Sequence, residues 1–429
     1  MKQVTRKSDQ DKHVIETVVR RFGPISRVGI YELTKIRRTT ISLITRELLD
    51  EGHLIVVGRS NNPLGRKQVL LQLNPEFGFI VGIEFDDKKV VAGILNLDPK
   101  VKHSISEPTN LGEGKDGLLQ QLQSVVTRVI AEAAVNPAQL LGIGIADPGL
   151  VDSRRGVTVL ATTIDFWIDV PLQKIFEERF DVPVVVESKT RAKAIAERSL
   201  GAGEMQDDLV YFDYGAGIGA GIVVDGKLLY GQNGGVGEIG HIRVSENGPA
   251  CKCGSIGCLE AVAGTAAIEA RMRRAIAEGA LTQALQLAGG DPTQITAWMV
   301  FQAAAASDKM SGNIVSELAH DIGIGIANVV NLFNPAVVVF DKRLEPAGAL
   351  LLDQIALVVR NQTLTAFSTS LALRFAKIGE ESGLIGVGLC VLEKRYEIPA
   401  LRPPTFMVAD ALGESLTVPS VPVLLRASA

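Results

Sequence analysis

The chain has 429 residues, of which 46% are hydrophobic, 21% charged and 5% aromatic, with 43 glycines and a formal net charge of −4. That exceeds one ordinary core, so two or three domains are expected, and the aliphatic, glycine-rich mixture fits α/β layers joined by tight turns. No stretch approaches the roughly 18 uninterrupted apolar residues of a membrane span, and the charged start MKQVTRKSDQDKH has no apolar segment behind it. A membrane or secreted protein is therefore not indicated, and a cytoplasmic location is expected.

The charge is unevenly placed. Residues 1–75 carry 14 Lys and Arg against 7 Asp and Glu, a net of +7, which leaves −11 for the remainder. A basic head on an acidic body reads as a DNA footprint, or as no more than a solvated basic face. Within the head, Val14, Ile15, Val18 and Val19 fall on one side of a predicted helix over 11–22, which Gly23-Pro24 ends. Ser26 is placed to cap a second helix over 27–33. A short turn follows, then a third helix of about a dozen residues from Thr39. Its apolar side is Ile41, Ile44, Leu48 and Leu49, and Gly52 stops it.

The other side of that third helix offers Thr39, Thr40, Ser42, Thr45 and Arg46, with Arg37 and Arg38 at its entry. Short donors and forked cations reach base edges and phosphates when a helix lies in the major groove. Strands at 54–57 and 69–73, joined by the polar segment GRSNNPLGRK, form a hairpin wing with Arg59, Arg66 and Lys67 near its tip. Helix, turn, polar-faced helix and wing form a winged helix-turn-helix pattern, against which a generic three-helix bundle is the alternative.

From Phe77 the pattern changes. A strand over 79–85, the turn DDKK and a strand over 90–97 lead to a helix near 117–134 and a strand over 141–146. The scheme recurs with a strand at 209–213, the turn YGAGIGAG, a returning strand at 222–227, a helix-rich stretch and a strand at 336–340. Two weakly similar halves, each opening on a hairpin, describe a duplicated α/β body with a cleft between lobes.

The segment His241, Cys251, Cys253 and Cys258 reads H-x9-C-x-C-x4-C. One imidazole and three thiolates suit tetrahedral zinc, disfavour Mg²⁺ or Ca²⁺, and leave no open position, so a structural ion is expected in place of free thiols. Gly254 and Gly257 give the loop freedom to wrap. Cys390, in the apolar run GLIGVGLCVL, reads as plain core.

The run from about 79 to 395 resembles the ROK family of repressors and sugar kinases. The resemblance is carried by DPGLVDSRRG, DYGAGIGAGIVVDGKLLYG, GGVGEIGHIRV, CKCGSIGCLE and NVVNLFNPAVVVF, in the family's order. It implies an actin-like, ribonuclease-H-like ATPase fold, and its repressor branch carries an N-terminal winged helix-turn-helix. It also implies that Glu238, His241 and Glu260 face a sugar beside the zinc. The family's catalytic Asn-Asp pair falls here on Ser188-Lys189, and a charged Lys cannot serve as the base. The first phosphate turn, usually Asp-x-Gly-Gly-Thr, reads Glu84-Phe85-Asp86-Asp87-Lys88, whose carboxylates would repel ATP. The third motif, usually Gly-Gly, is Asp341-Lys342. Only Gly215-Ala216-Gly217-Ile218-Gly219 stays near intact.

The expected organisation is a winged helix-turn-helix over 1–75, a two-lobed sensor over 76–396 with lobes at about 76–190 and 191–396, and a Pro-rich tail over 397–429 that is extended or disordered. The expected function is a homodimeric, or dimer-of-dimers, regulator that binds an inverted-repeat operator in double-stranded DNA. Its effector is expected to be a carbohydrate or an acidic sugar derivative, a sugar acid or phosphorylated sugar being what Lys189 and Arg191 would favour. Two other readings stay open: an ATP-dependent carbohydrate kinase, and a ligand-independent regulator with a degenerate sensor.

Overall fold

The computed structural model describes residues 7–60, 67–204 and 206–397. In the head, α1 (Lys7–Phe22) leads through β1 (Ile25–Ser26) to α2 (Arg27–Thr34) and α3 (Arg38–Asp50). The wing follows as β2 (Leu54–Arg59) and β3 (Val69–Leu73), in a sheet of order β1-β3-β2. The Ser26 hydroxyl accepts from the Gly29 backbone N–H at 3.1 Å, the cap its position requires. Ile15, Val18, Val19, Ile30, Ile41, Ile44 and Leu48 close the head core. Arg66 and the tail over 398–429 lie outside the described residues.

The first lobe contains β4 (Phe79–Phe85), β5 (Lys89–Asn96), β6 (Val101–Pro108), α4 (Gly114–Glu132) and β7 (Leu140–Asp147). A small sheet of β8 (Leu150–Asp152), β9 (Val157–Leu160) and β10 (Ile168–Val170) precedes α5 (Leu172–Phe180), β11 (Val184–Ser188) and α6 (Lys189–Leu200). The second lobe opens with β12 (Leu209–Tyr214), β13 (Ile218–Val224) and β14 (Lys227–Leu228). Its helices α7 (Leu259–Ala263), α8 (Thr265–Ala277), α9 (Gln283–Leu287), α10 (Ala297–Ala305) and α11 (Lys309–Phe333) lead to β15 (Val337–Phe340). Then come α12 (Gly348–Gln362), α13 (Thr365–Ser370), β16 (Ala372–Phe375) and α14 (Ser382–Arg395).

The two main sheets run β11-β7-β4-β5-β6 and β16-β15-β12-β13-β14. In each, three strands are antiparallel and two more join in parallel on the side of the first. The duplication is therefore complete down to strand order, the two-lobed actin-like arrangement. The third strand of each hairpin set, β6 and β14, is absent from the elements expected from sequence. β6 alternates half-buried and exposed along VKHSISEP, an edge strand with few apolar residues to announce it.

The lobe boundary needs correction. Although last in sequence, α14 packs on β4, β7 and α6, not on the second sheet. Val81 and Ile83 of β4 face the core shared with α4. The intervening Gly82 turns toward α14, where a Cβ would meet the Leu384 backbone at 3.1 Å. On the helix, a Cβ at Gly386 would lie 1.9 Å from the Ala192 carbonyl oxygen, so only glycine lets α14 rest directly on α6. The end of α14 reaches the head. Val391, Leu392 and Tyr396 join its core, Thr17 Oγ1 donates to the Tyr396 carbonyl at 3.2 Å, and Arg20 stacks over the Tyr396 ring at 5.4 Å.

Candidate functional site

The face of α3 opposite the core is the surface from which the head could touch DNA. Arg37, Arg38, Thr39, Ser42 and Arg46 are exposed and Thr40 is half-buried, while Arg59 and Lys67 stand exposed on the wing. Arg38 stacks over Tyr31 at 4.7 Å, which aims it along the helix entry. Thr45 is a correction. It is fully buried, and its hydroxyl accepts from Arg27 Nε at 2.6 Å, so it fixes α2 against α3 and cannot reach a base edge.

Between the lobes lies a cleft of about 500 Å³. Ser188, Lys189, Glu238, His241 and Glu260 all line it, with the first turn at Asp86 and Asp87 and the glycine turn at Gly215–Gly219. Lys189 Nζ reaches Asp86 Oδ2 at 3.2 Å across 103 residues of sequence. Burial alone would raise the Asp86 carboxyl, but Lys189 and the backbone N–H groups of Lys88 and Lys89 hold it below the usual range. The expected repulsion of a phosphate by Asp86 is thus largely neutralised within the protein. Glu260 Oε2 accepts from the Ile218 N–H at 3.1 Å, and burial pushes the Glu238 carboxyl up. Asp147 is buried and accepts from Gly149 N–H, Thr158 Oγ1 and Trp167 Nε1, which pins the loop at the cleft rim.

Arg191 is the second correction. Although it borders the cleft, its guanidinium is consumed by Glu187 Oε1 at 2.6 Å, the carbonyls of Gly234 and Val151 at 2.5 and 3.0 Å, and Ser153 Oγ at 3.2 Å. It offers no free charge to an acidic ligand. A different cation, with no signal in the sequence, stands at the glycine turn. Arg343 donates to Asp341 Oδ2 at 2.7 Å and to Asp213 Oδ1 at 2.9 Å, and a Cβ at Gly215 would meet its guanidinium at 3.2 Å. Lys193 joins both carboxylates at 3.0 and 3.3 Å, and Tyr211 donates to Asp341 at 3.1 Å. Asp341, at the third phosphate motif, therefore holds an internal ion network beside the glycine turn.

That network carries a pH prediction. Burial alone would raise the Asp341 carboxyl, but Lys193 and Arg343 hold it well below the ordinary Asp range. A depressed folded pKa gives stability that is present above the unfolded value, about 4, and is lost as pH falls through and below it. Chemical-denaturation midpoints measured down from pH 6 should decline through that window. In Asp341→Asn the decline should be shallower.

The fourth feature is the His241, Cys251, Cys253 and Cys258 cluster, whose ligand atoms all lie within 4.8 Å of one another. Cys251 Sγ lies 3.7 Å from His241 Nδ1, and Cys253 Sγ lies 3.8 Å from Cys258 Sγ. A tetrahedron of sulfurs at the usual zinc distance has an edge of about 3.8 Å. The donor set and its spacing therefore fit a four-coordinate metal ion. Gly254 and Gly257 take the positive φ the loop needs, +90° and +69°. His241 and Cys253 also line the cleft, so the cluster forms part of its floor.

The profile of the ROK family matches residues 80–394. The xylose repressor of Caldicellulosiruptor bescii is 30% identical over 375 residues, covering 87% of this chain and 93% of that protein. The crystal structure of a ROK family transcriptional regulator, a homolog of the E. coli MLC protein, superposes with a TM-score of 0.78 at 26% identity over 91% of this chain and 97% of its own. A ROK family glucokinase from Streptomyces griseus, solved with glucose and AMPPNP, superposes with a TM-score of 0.65 at 29% identity over 73% of this chain and 99% of its own.

Proposed function

The chain belongs to the ROK family, and from that premise we propose that it is a sugar-responsive, DNA-binding transcriptional repressor without kinase activity. The observation that carries the proposal is the Lys189–Asp86 ion pair across the cleft. The position of the family's catalytic base holds a cation, and the position of its first phosphate turn holds the carboxylate that neutralises it. A proton acceptor and a phosphate cradle have been exchanged for a salt bridge, while Glu238, His241 and Glu260 still face the cleft with acceptors for hydroxyl groups. With Arg191 consumed and Lys189 paired, the cleft favours a neutral sugar over an acidic one. His241, Cys251, Cys253 and Cys258 would hold a structural zinc ion, which would fix the loop between Glu238 and Glu260. The protein acts as a homodimer on an inverted-repeat operator, with Arg37, Arg38, Thr39, Thr40, Ser42 and Arg46 in the major groove and the wing on the backbone.

The route from cleft to DNA is short. Lys189 opens α6, α6 lies against α14 through Gly386, and the end of α14 docks on α1. Closure of the lobes on a sugar shifts α6, and α14 carries that shift to the head. The shift works only if the sugar binds the two states with different affinity. The test uses the full chain and a duplex selected from a random inverted-repeat library, with binding followed by fluorescence anisotropy. One class among neutral sugars, amino sugars, sugar acids and sugar phosphates should weaken DNA binding at least about tenfold, a coupling of roughly 1.4 kcal/mol. No ADP should appear with ATP present. ADP release dependent on a sugar would establish the kinase instead. Unchanged DNA affinity across the whole set would establish a ligand-independent regulator.

A further inference from the structure

The exposed face of α3 carries one residue that the polar donors do not explain. Leu43 is 68% exposed, the most exposed large apolar residue described in the head. At 100° per residue, Ile41, Ile44, Thr45 and Leu48 span the buried side, and Leu43 points almost directly away from their centre. Thr39, one turn before it, and Arg46, one turn after it, share that outward stripe, and Ser42 borders it. All of these lie in the N-terminal two-thirds of the helix, the part that enters a major groove when a helix-turn-helix docks. The acidic residues of the stripe come later. Glu47 is tied back to Lys12 at 2.7 Å, and Asp50 ends the helix.

A single exposed leucine is ordinary on a protein surface. Its place here is not, because the surrounding surface is built of cations and hydroxyls on a head of net charge +7. That charge complements a phosphate backbone better than another protein's apolar face, and nucleic acid is the occupant it argues for. Within the major groove, the one apolar group a base pair presents is the C5-methyl of thymine. We propose that Leu43 is a specificity-determining residue that packs against a thymine methyl group in each half-site, between the contacts made by Thr39 and Arg46. The proposal rests on the DNA-binding reading of the head. It assigns to that surface an apolar contact that selects T over C at one position.

The probe is a duplex selected by the full chain from a random library, with each thymine replaced in turn by deoxyuridine, which removes only the methyl. At one position per half-site the unsubstituted protein should lose about fourfold in affinity, the worth of one buried methyl. Leu43→Ala, on an exposed site with a better helix former, should keep its fold by circular dichroism and bind the thymine duplex more weakly. It should also bind the thymine and uracil duplexes equally. Two results overturn the assignment: no thymine whose methyl matters to the unsubstituted protein, or an equal loss in the protein and in Leu43→Ala. If the chain selects no sequence at all, the DNA-binding reading fails and Leu43 loses its role with it. Sequence-specific binding that is indifferent to uracil removes Leu43 alone.

Discussion

Treating the protein with a strong chelator at neutral pH is expected to release one zinc ion per chain and to lower its melting temperature by about 3–5 °C, corresponding to about 3 kcal/mol in a chain of this size. The reason lies in how the segment from His241 to Cys258 is otherwise held, by Ile242 and Val244 on the core at one end and by a handful of backbone hydrogen bonds elsewhere, such as Cys251 N–H to the Ser255 carbonyl. Its only ladder contacts among the described residues are isolated bridges, Arg243 with Cys258 and Ala250 with Ile256, and Ile256 itself is exposed. Gly257 packs so closely that a Cβ would fall 1.8 Å from the Ser245 carbonyl oxygen, so the loop is folded tightly without an apolar core of its own. Three thiols gathered around one imidazole repel when ionised, and a cation both gathers and discharges them. Loss of the ion should also weaken any sugar response, because Glu260 lies in the first turn of the helix that follows Cys258 and Glu238 caps the short turn that ends at His241. Cys258→Ala should reproduce the effect of the chelator, whereas Cys390→Ser, in the core away from the cluster, should retain the metal. A protein that contains no zinc as isolated, or that melts identically with and without chelator, would overturn the metal assignment.

Much of this molecule is legible in its sequence, and the parts that are not share one cause. Periodicity located α1, α2, α3 and the paired hairpins because those signals are local. The face of α3 was partly misread because a threonine looks the same whether it meets a base or Arg27, and Arg27 lies 18 residues away. The apolar run around Cys390 was identified as core, but nothing nearby says which lobe it serves. Its partner surfaces, β4, β7 and α6, lie some 180 residues or more earlier in the chain. The same holds for Lys189 and Asp86, where two departures that each looked like a loss prove to be one ion pair. Arg343 has no sequence signal because an arginine three residues past a strand has no pattern, and only folding brings it to Gly215 and Asp213. The His–Cys cluster is the exception, since its four ligands lie within 18 residues and their types alone select the chemistry.

Arg191→Ala is expected to destabilise the body by about 3–5 kcal/mol and to abolish sugar binding in the cleft. Arg191 is 3% exposed and Glu187 2%, so each is the buried counter-charge of the other. Removing the guanidinium strands the Glu187 carboxylate in the interior with only neutral partners, Ser153 Oγ, the Ser188 N–H and the Tyr230 hydroxyl. It also frees two neighbouring carbonyls that belong to different lobes, Val151 in the small sheet of the first and Gly234 in the segment after β14 of the second. Arg191 thus joins the lobes at the back of the cleft from a position on α6, two residues beyond Lys189. Its guanidinium lies 5.2 Å from the centre of the Tyr230 ring, and burial, reinforced by Glu187, pushes the Tyr230 hydroxyl well above its usual range. The apolar pair Glu187→Met with Arg191→Met separates charge from shape. A buried ion pair replaced on both sides by packed side chains loses far less than one broken on one side, so the double variant should recover most of the urea-denaturation midpoint. It should not recover the sugar response, because a methionine cannot donate to the Val151 and Gly234 carbonyls together. If the double variant regains both stability and response, the bridge between lobes contributes packing alone. If Arg191→Ala unfolds no more readily than the unsubstituted protein, the buried pair is solvated in solution and the cleft does not depend on it.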